Sequence, residues 1–403
     1  MKIKKIFMYF TFASLVLVGC DGCDDDDNAT GPADPEYTTG TASFGDSTGE
    51  DVIYGIEKIA GGFLLTGNTA SLNNGSSSDG LVMQVDAAGN TIWESTIDSG
   101  ENGYDRLYDL EVDSNGNIVT AGFATRSVGG TDMWIAVLSS AGTLSNMAFF
   151  GVDGINERAY TIGDWNEFDV YTVGGYNSDT DATIQYSDRN DLSSRGVDSL
   201  TGTSSWYRGV KTTDNLVIHV GDILVDGQYD GLFTAFNTVD GVYVQTPGTV
   251  ISTLASRLYG ANNSPTVRSA LLICGLADNG SGYIAKMNTS GSLVWETTTT
   301  QPATLYDITE DSMGNIVAVG YSGADAFMVK LDQSGNILAS KTFDGSGSND
   351  RFYGISVSDT NELVMVGYTE DSNGDKNGWM VTTDPDGNLN WFKKKIFYKI
   401  GWK

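Results

Sequence analysis

A repeated pair of residues, a tyrosine followed by a glycine, constrains the fold of this 403-residue chain more than any other feature. The tyrosine recurs every 47 to 54 residues, at Tyr54, Tyr108, Tyr160, Tyr207, Tyr259, Tyr306 and Tyr353. A glycine ends an apolar segment 13 to 16 residues later, at Gly67, Gly122, Gly174, Gly221, Gly275, Gly320 and Gly367. Self-similarity with this period indicates a repeat architecture in which each unit packs on its neighbours.

Each repeat of about fifty residues is expected to contain four short strands. The segment after the glycine alternates apolar with small or polar residues, as in DGLVMQVD (79–86) and DAFMVKLD (325–332). Turns such as DAAGN and DSNGN separate the segments, and their Asn and Gly residues supply the positive φ that hairpins need. We therefore expect an all-β fold, a β-propeller of about seven four-stranded blades over residues 37–392. A pair of stacked β-sandwiches is the competing architecture, but it does not predict seven similar intervals.

One stretch, ADAFMVKLDQSGNILASKTFDGSGSNDRFYGISVSDTNELVMVGYT (324–369), resembles the bacterial seven-bladed β-propeller repeat known as SBBP. The resemblance covers roughly residues 38–392 and is sharpest in the first two and last two repeats. Ser281 and Gly282 depart from the pattern, since they stand where an aspartate is expected. The resemblance implies a propeller and carries no shared chemistry.

The first residues indicate export and a lipid anchor. Lysines precede an apolar run that is too short to span a membrane but suits a signal peptide, predicted over residues 1–19. Leu17-Val18-Gly19-Cys20 resembles the bacterial lipobox, which implies cleavage before Cys20 and acylation of its thiol. Residues 20–36 then form an acidic stretch that is expected to be a flexible tether.

Two signals bear on the membrane that holds the anchor. The acidic run Asp24–Asp27 resembles a surface-export signal, whereas Asp21 would favour inner-membrane retention under the rule of some proteobacteria. We expect a bacterial envelope protein, with the outer membrane favoured over the inner membrane.

Closure of the ring is left open by the sequence. The segment YTTGTASFGDSTGED near the start aligns with the end of a fourth strand and could complete the last blade. GNLNWFKKK in the last repeat is a rival for the same place. Residues 393–403 form an atypical basic tail that breaks the repeat.

Composition excludes several function classes. A net charge of −29 repels phosphate backbones, so we expect no nucleic-acid partner. His219 is the single histidine, which excludes His-rich metal sites, and we interpret it as structural. Cys274 is interpreted as a core residue. We predict no cofactor, no metal site, no catalytic residues and a monomer.

Two further motifs have structural interpretations. Trp93, Trp295 and Trp391 share one place in the fourth strand, and packing explains them better than a quinone cofactor. DSNGDKNG (371–378) resembles a calcium loop but has Lys376 where glycine is needed, so we expect a plain loop.

The predicted binding surface is the face where the loops before the first and third strands of each blade meet. The third strands open with aspartates that should ring this face, at Asp79, Asp132, Asp181, Asp230 and Asp325. Acids and arginines flank the first strands, at Asp51, Asp105, Glu157 and Asp350 and at Arg106, Arg158, Arg257 and Arg351. These acids could cap turns and pair with the arginines, or they could form a funnel that binds a polyol, a cation or a basic protein segment.

The expected function is that of a non-catalytic binding platform in the envelope. Its partners would be the lipid bilayer, through acylated Cys20, and a protein or glycan ligand. One alternative is a carbohydrate-active enzyme that uses carboxylates of this face as acid and base. Another is a scaffold similar to the lipoproteins that assist outer-membrane protein assembly.

Overall fold

The fold is taken from a computed structural model. It describes residues 40–45, 49–70, 77–101, 103–165, 169–177, 181–200, 205–213, 216–239, 242–245, 249–250, 254–264, 270–288, 291–345 and 348–389. The chain divides into two units, Met1–Glu36 and Tyr37–Lys403, and all described residues belong to the second. Cys20, the signal peptide, the tether, Trp391 and the basic tail lie outside the described residues.

The described residues form twenty-nine strands. Before the first repeat comes β1 (Gly40–Phe44). The first three repeats contain β2 (Val52–Ile59), β3 (Gly62–Thr69), β4 (Asp79–Asp86), β5 (Thr91–Ile97), β6 (Arg106–Val112), β7 (Ile118–Thr125), β8 (Thr131–Leu138), β9 (Leu144–Phe150), β10 (Glu157–Trp165), β11 (Val170–Asn177), β12 (Asp181–Asp188) and β13 (Ser194–Leu200). The next two contain β14 (Ser205–Thr213), β15 (Leu216–Val225), β16 (Gln228–Val239), β17 (Val242–Gln245), β18 (Thr249–Val250), β19 (Ala255–Asn263), β20 (Ala270–Ala277), β21 (Ser281–Asn288) and β22 (Leu293–Pro302). The last two contain β23 (Thr304–Glu310), β24 (Ile316–Ser322), β25 (Asp325–Leu331), β26 (Ile337–Phe343), β27 (Asp350–Val357), β28 (Leu363–Glu370) and β29 (Lys376–Thr383).

The strands form antiparallel sheets that follow one another around a ring. We number them by repeat: sheet 1 is β2–β5, sheet 2 β6–β9, sheet 3 β10–β13, sheet 4 β14–β18, sheet 5 β19–β22, sheet 6 β23–β26, and sheet 7 β27–β29 with β1. The first strand of each sheet contacts the first strand of the next, and β27 contacts β2. The all-β propeller is thus confirmed. Six of the described sheets have the predicted four strands, and sheet 4 departs from the pattern with five.

The fourth strand of sheet 7 comes from the start of the propeller and not from its end. β1 pairs antiparallel with β29 from Gly40 opposite Thr382 to Phe44 opposite Gly378. Of the two sequence candidates, the N-terminal segment therefore takes the closing position. Among the described residues, no helix is long and apolar enough to cross a bilayer.

Tight turns explain why so many strands fit into the chain. In the turn that starts at Asp86, one carboxylate oxygen accepts bonds from the amides of Ala88 and Asn90, at 2.9 and 2.8 Å. Gly89 takes φ of 81°, a conformation that side chains disfavour. The same arrangement begins at Asp113, Asp311, Asp332, Asp371 and Asp384. The turn at Asp371 is thus held by the protein's own amides.

The repeated tyrosine and glycine mark one local geometry. In sheet 2, the pairing of β6 with β7 passes from Leu107 to Asp109 and leaves out Tyr108. This tyrosine is therefore a β-bulge residue. Leu107 lies opposite Gly122, and a Cβ on that glycine would stand 1.8 Å from the Arg106 carbonyl oxygen. Glycine is required because the neighbouring backbone approaches too closely for any side chain.

This geometry corrects two of the predicted landmarks. In sheet 3 the close approach is made by Gly175, opposite Ala159, and not by Gly174. In sheet 4 the register skips Arg208 instead of Tyr207. In each case the prediction is wrong by one residue. The similar intervals between repeats do not reveal such a shift, although it moves a side chain to the other face of the strand.

The core lies between the sheets. Each apolar cluster of the described residues joins two neighbouring sheets, as where Val317 of sheet 6 packs with Trp379 of sheet 7. Cys274 is fully buried in the cluster between sheets 5 and 6, which supports its interpretation as a core residue. His219 is also fully buried, and a Cβ on Gly174 would stand 2.6 Å from its Nδ1, so this glycine leaves room for the imidazole.

Two of the tryptophans pack across sheets. A Cβ on Gly142, in sheet 2, would lie 2.5 Å from the ring of Trp93 in sheet 1. Likewise, a Cβ on Gly335, in sheet 6, would lie 2.8 Å from the ring of Trp295 in sheet 5. These contacts agree with the packing interpretation.

Candidate binding site at the channel mouth

The bulged tyrosines line the central channel, which is the space enclosed by the first strands of the sheets. Neighbouring rings touch in an unbroken series from sheet 5 through sheets 6, 7 and 1 to sheet 3. The centroid distances are 5.3 Å for Tyr259–Tyr306, 4.9 Å for Tyr306–Tyr353, 5.0 Å for Tyr353–Tyr54, 4.8 Å for Tyr54–Tyr108 and 5.0 Å for Tyr108–Tyr160. Burial raises the pKa of Tyr54, Tyr108 and Tyr353, so their hydroxyls stay protonated at neutral pH.

The predicted arginines lie one step above the tyrosines. Arg106 and Arg351 precede Tyr108 and Tyr353 by two residues, and residues two apart on a strand share a face. Arg158 and Arg257 hold the same position in sheets 3 and 5. We call the end of the sheets where these first strands begin the upper face. The structure thus brings the four predicted arginines together around the upper mouth of the channel.

Three of these arginines rest on an aromatic ring of the preceding sheet. The guanidinium carbon lies 4.5 Å from the ring centre of Phe123 for Arg158, 3.9 Å from Tyr229 for Arg257 and 4.2 Å from Tyr321 for Arg351. Such cation–π contacts fix the planar guanidinium while leaving its edge open to other partners. Among the described residues, no carboxylate forms an ion pair with Arg158 or Arg351, whereas the negative charge of Asp222 acts on Arg257 and raises its pKa.

Arg106 differs because sheet 1 offers it a carboxylate. Its Nη2 donates to Oε2 of Glu50 at 2.7 Å, and its Nη1 lies 3.3 Å from the Tyr54 hydroxyl. The same Glu50 accepts from Nζ of Lys376 at 2.5 Å. One carboxylate is therefore shared by two cations, so these three side chains together carry one net positive charge.

A cavity of about 350 Å³ opens between sheets 2 and 3. Its lining residues are two arginines, two aromatic residues and two threonines: Tyr104, Arg106, Phe123, Thr125, Thr131 and Arg158. Tyr104 is 52% exposed and stands at the rim. The volume falls in the range of small-ligand sites.

The acids that flank the first strands are buried and hold loops. Asp105 accepts from the amides of Ser99 and Thr125, both at 3.0 Å. Asp51 accepts from Ala70, and Asp350 accepts from Gly345. The capping role considered for these acids is thus present in the structure, whereas the pairing with arginines of the following strand is absent from the described ion pairs.

Two acids of this group, Glu157 and Asp350, each have one buried carboxylate oxygen without a hydrogen-bond partner among the described residues. In Glu157 this oxygen is Oε2, while Oε1 accepts from the Val152 amide at 3.0 Å. Burial and the nearby Asp132 raise the pKa of Glu157 to about 7. Asp132 itself forms an ion pair with Arg126 at 3.4 Å.

The aspartates that open the third strands lie further from the central channel than the arginines do. Asp79, Asp132 and Asp325 stand at the upper ends of third strands, two strands further from the channel than the arginines, and Asp181 and Asp230 hold the same place. The predicted acidic ring is therefore peripheral, and its role in binding stays a prediction. Carboxylate oxygens of Asp79, Asp98 and Asp105 lie within 4.8 Å of one another, but Asp105 already binds two amides.

Sequence reasoning missed the aromatic supports of the arginines. Phe123 and Tyr321 each follow a landmark glycine directly, so an aromatic residue after the glycine was visible in the sequence of these two repeats. Its role was not recognised because the partner arginine belongs to the next repeat, 30 or 35 residues further along the chain. Tyr104 belongs to none of the recurring sequence positions, so the repeat did not point to it.

No protein-family model and no curated protein matches this chain. Solved structures do. Virginiamycin B lyase from Staphylococcus aureus is 14% identical with a TM-score of 0.56, covering 86% of this chain and 99% of its own. The lectin BP39L from Burkholderia pseudomallei is 10% identical with a TM-score of 0.60, covering 85% and 98%. The Dos1 propeller is 11% identical with a TM-score of 0.50, covering 85% and 86%. At such identities the similarity shows the β-propeller fold alone.

Proposed function

We propose that this chain is a non-catalytic binding platform of the bacterial envelope, an SBBP-type propeller of about seven blades anchored through acylated Cys20. The ligand, a protein or glycan, would bind at the upper mouth of the channel. The outer membrane is the favoured location.

One observation carries the proposed binding role. Guanidinium groups gather around the channel mouth, and those of Arg158 and Arg351 have no carboxylate partner among the described residues. A charge that is partly removed from water without an ion pair costs stability, so its retention in an acidic protein indicates a use. Binding a partner that supplies the missing negative charge is the simplest use.

The anchor and the binding role can be tested separately. Full-length protein and a Cys20→Ala variant would be expressed in a bacterium and compared by membrane fractionation and palmitate labelling. We expect label and membrane association only with Cys20, and equal labelling of the variant would exclude the anchor. Purified full-length protein in detergent would then be applied to glycan and envelope-protein arrays. A blank result on both would contradict the binding platform.

An enzyme acting on carbohydrate is a second candidate, favoured by Glu157 and Asp132. A carboxyl group with a pKa of about 7 beside a second carboxyl group resembles a general acid and its partner. Against this role, Glu157 is only 1% exposed, and Asp132 is engaged by Arg126. Release of reducing ends from an oligosaccharide panel, lost in both Glu157→Gln and Asp132→Asn, would establish the enzyme in place of the platform.

A further inference from the structure

The cavity between sheets 2 and 3 carries features that specify its ligand more narrowly. We infer that it binds the carboxylate of an acidic saccharide, a sugar of the uronic acid class. This inference rests on the proposed binding function and names the ligand class at the same site.

The charge of the cavity calls for an anion. Arg158 forms no ion pair within the described residues, and its buried Nε has no hydrogen-bond partner there. Arg106 shares Glu50 with Lys376, at 2.7 and 2.5 Å, so it is only partly neutralised. An anion that enters between the two arginines gains two attractive partners in a setting that is partly shielded from water.

The form of the positive groups favours a planar anion such as carboxylate. A guanidinium presents parallel N–H groups that match the two oxygens of a carboxylate. Phe123 lies under Arg158 at 4.5 Å and holds the guanidinium plane over its ring. The donors are thus fixed before the ligand arrives, which lowers the entropy lost on binding.

The remaining walls suit a sugar ring. A volume of about 350 Å³ accommodates a small oligosaccharide unit. The half-exposed ring of Tyr104 offers an apolar face at the rim. The hydroxyls of Thr125 and Thr131 donate to the carbonyl oxygens of Tyr104 and Glu157, at 2.8 and 3.0 Å. The Thr125 hydroxyl also accepts from the Tyr104 amide at 3.0 Å, so it keeps one lone pair for a sugar hydroxyl, and Thr131 can accept as well.

The test uses a pair of probes that differ in charge alone. Trigalacturonic acid and its methyl ester have the same rings and hydroxyls, but only the acid carries carboxylates. Isothermal titration of full-length protein in detergent should give binding of the acid and at least tenfold weaker binding of the ester. Arg158→Gln should weaken binding of the acid about tenfold or more, and Arg158→Lys should weaken it less.

Arg195→Gln is the matched control. Arg195 is a partly exposed arginine of β13 that forms an ion pair with Asp188, and it does not line this cavity. Its replacement should leave trigalacturonate binding unchanged, and thermal melting would verify that each variant folds.

Three outcomes would overturn the inference and leave the platform intact. Equal binding of acid and ester would exclude carboxylate recognition. Equal loss in Arg158→Gln and Arg195→Gln would place the ligand elsewhere. Binding of an acidic peptide on an array, dependent on Arg158 while all uronates fail, would change the ligand class. A blank array for every probe would instead contradict the proposed function itself.

Discussion

The carboxylate of Asp109 accepts a hydrogen bond from the amide of Ile162 at 3.0 Å, joining the first strand of sheet 2 to that of sheet 3. First strands present an unpaired edge to the channel, and an unpaired buried amide is costly. Asp307 makes the equivalent bond to the Ile355 amide, at 2.8 Å, between sheets 6 and 7. Side chains therefore complete the edges that the ring leaves open.

We expect Asp109→Ala to destabilise the propeller by about 1–3 kcal/mol. The substitution leaves the Ile162 amide without its acceptor, in a gap between two sheets. Urea denaturation followed by tryptophan fluorescence would measure the free energy of unfolding. Glu94→Ala, at an exposed position of β5, is the control and should change it by less than about 0.5 kcal/mol. If both variants changed the free energy of unfolding equally, the hydrogen bond between Asp109 and Ile162 would contribute nothing to stability.

The same carboxyl group predicts how stability depends on pH. Burial raises the pKa of Asp109 to about 7, with added repulsion from Glu111 and Asp307, and Glu157 is raised to a similar value. A group whose pKa is higher in the folded state binds its proton more tightly there, so folding is favoured at acidic pH. This stability is lost as pH rises through about 7. The protein should be less stable at pH 8 than at pH 5 by about 1–2 kcal/mol.

Denaturation curves at pH 5, 6.5 and 8 would measure this dependence. Asp109→Asn and Glu157→Gln remove the two titrating groups, and the double variant should show a flatter profile than the parent. An unchanged pH profile in the double variant would assign the effect to other groups.

The landmark glycines should not tolerate alanine. In Gly122→Ala the new Cβ would stand 1.8 Å from the carbonyl oxygen of Arg106, and backbone cannot move aside as a side chain can. We expect a loss of about 2–4 kcal/mol, measured by chemical denaturation. Gly40→Ala in β1 is the matched control, because its Cβ would meet nothing within 4 Å. A loss of less than about 0.5 kcal/mol in Gly122→Ala would show that the strands can separate without cost.

Much of the fold could be predicted from the sequence because each repeat satisfies the same local requirements. A turn that starts at Asp86 needs a carboxylate acceptor and a glycine three residues later, and both are visible as letters. Register is different. Gly174 and Gly175 are indistinguishable in the sequence, and only the bulge at Tyr160 decides which of them meets the opposing backbone. A pattern that repeats every fifty residues does not resolve a shift of one.

The site was harder to predict because its contacts join different repeats. The sequence placed Asp105 and Arg106 side by side and left open whether the acid caps a turn or pairs with an arginine. In the structure the neighbours face opposite ways: Asp105 turns to the Ser99 amide, and Arg106 turns to Glu50. Alternation along a strand explains the separation. The partner of Arg158, Phe123, depends on which sheets are neighbours, and that follows only from the closed ring.

Closure of the ring by β1 gives a final prediction. β1 covers the free edge of β29, with Ala42 opposite Met380 and Ser43 opposite Trp379. Deletion of residues 40–44 would leave that edge unpaired beside the apolar cluster of sheets 7 and 1, which contains Met380. Exposed edges of this kind pair with other chains. We expect a melting temperature lower by several degrees and a concentration-dependent shift to larger species in size-exclusion chromatography.

Thr41→Ala is the control for this deletion, because it changes only an exposed side chain and should behave as the parent. A deletion variant that keeps the elution volume and the melting temperature of the parent would mean that the other three strands of sheet 7 are sufficient to hold the ring.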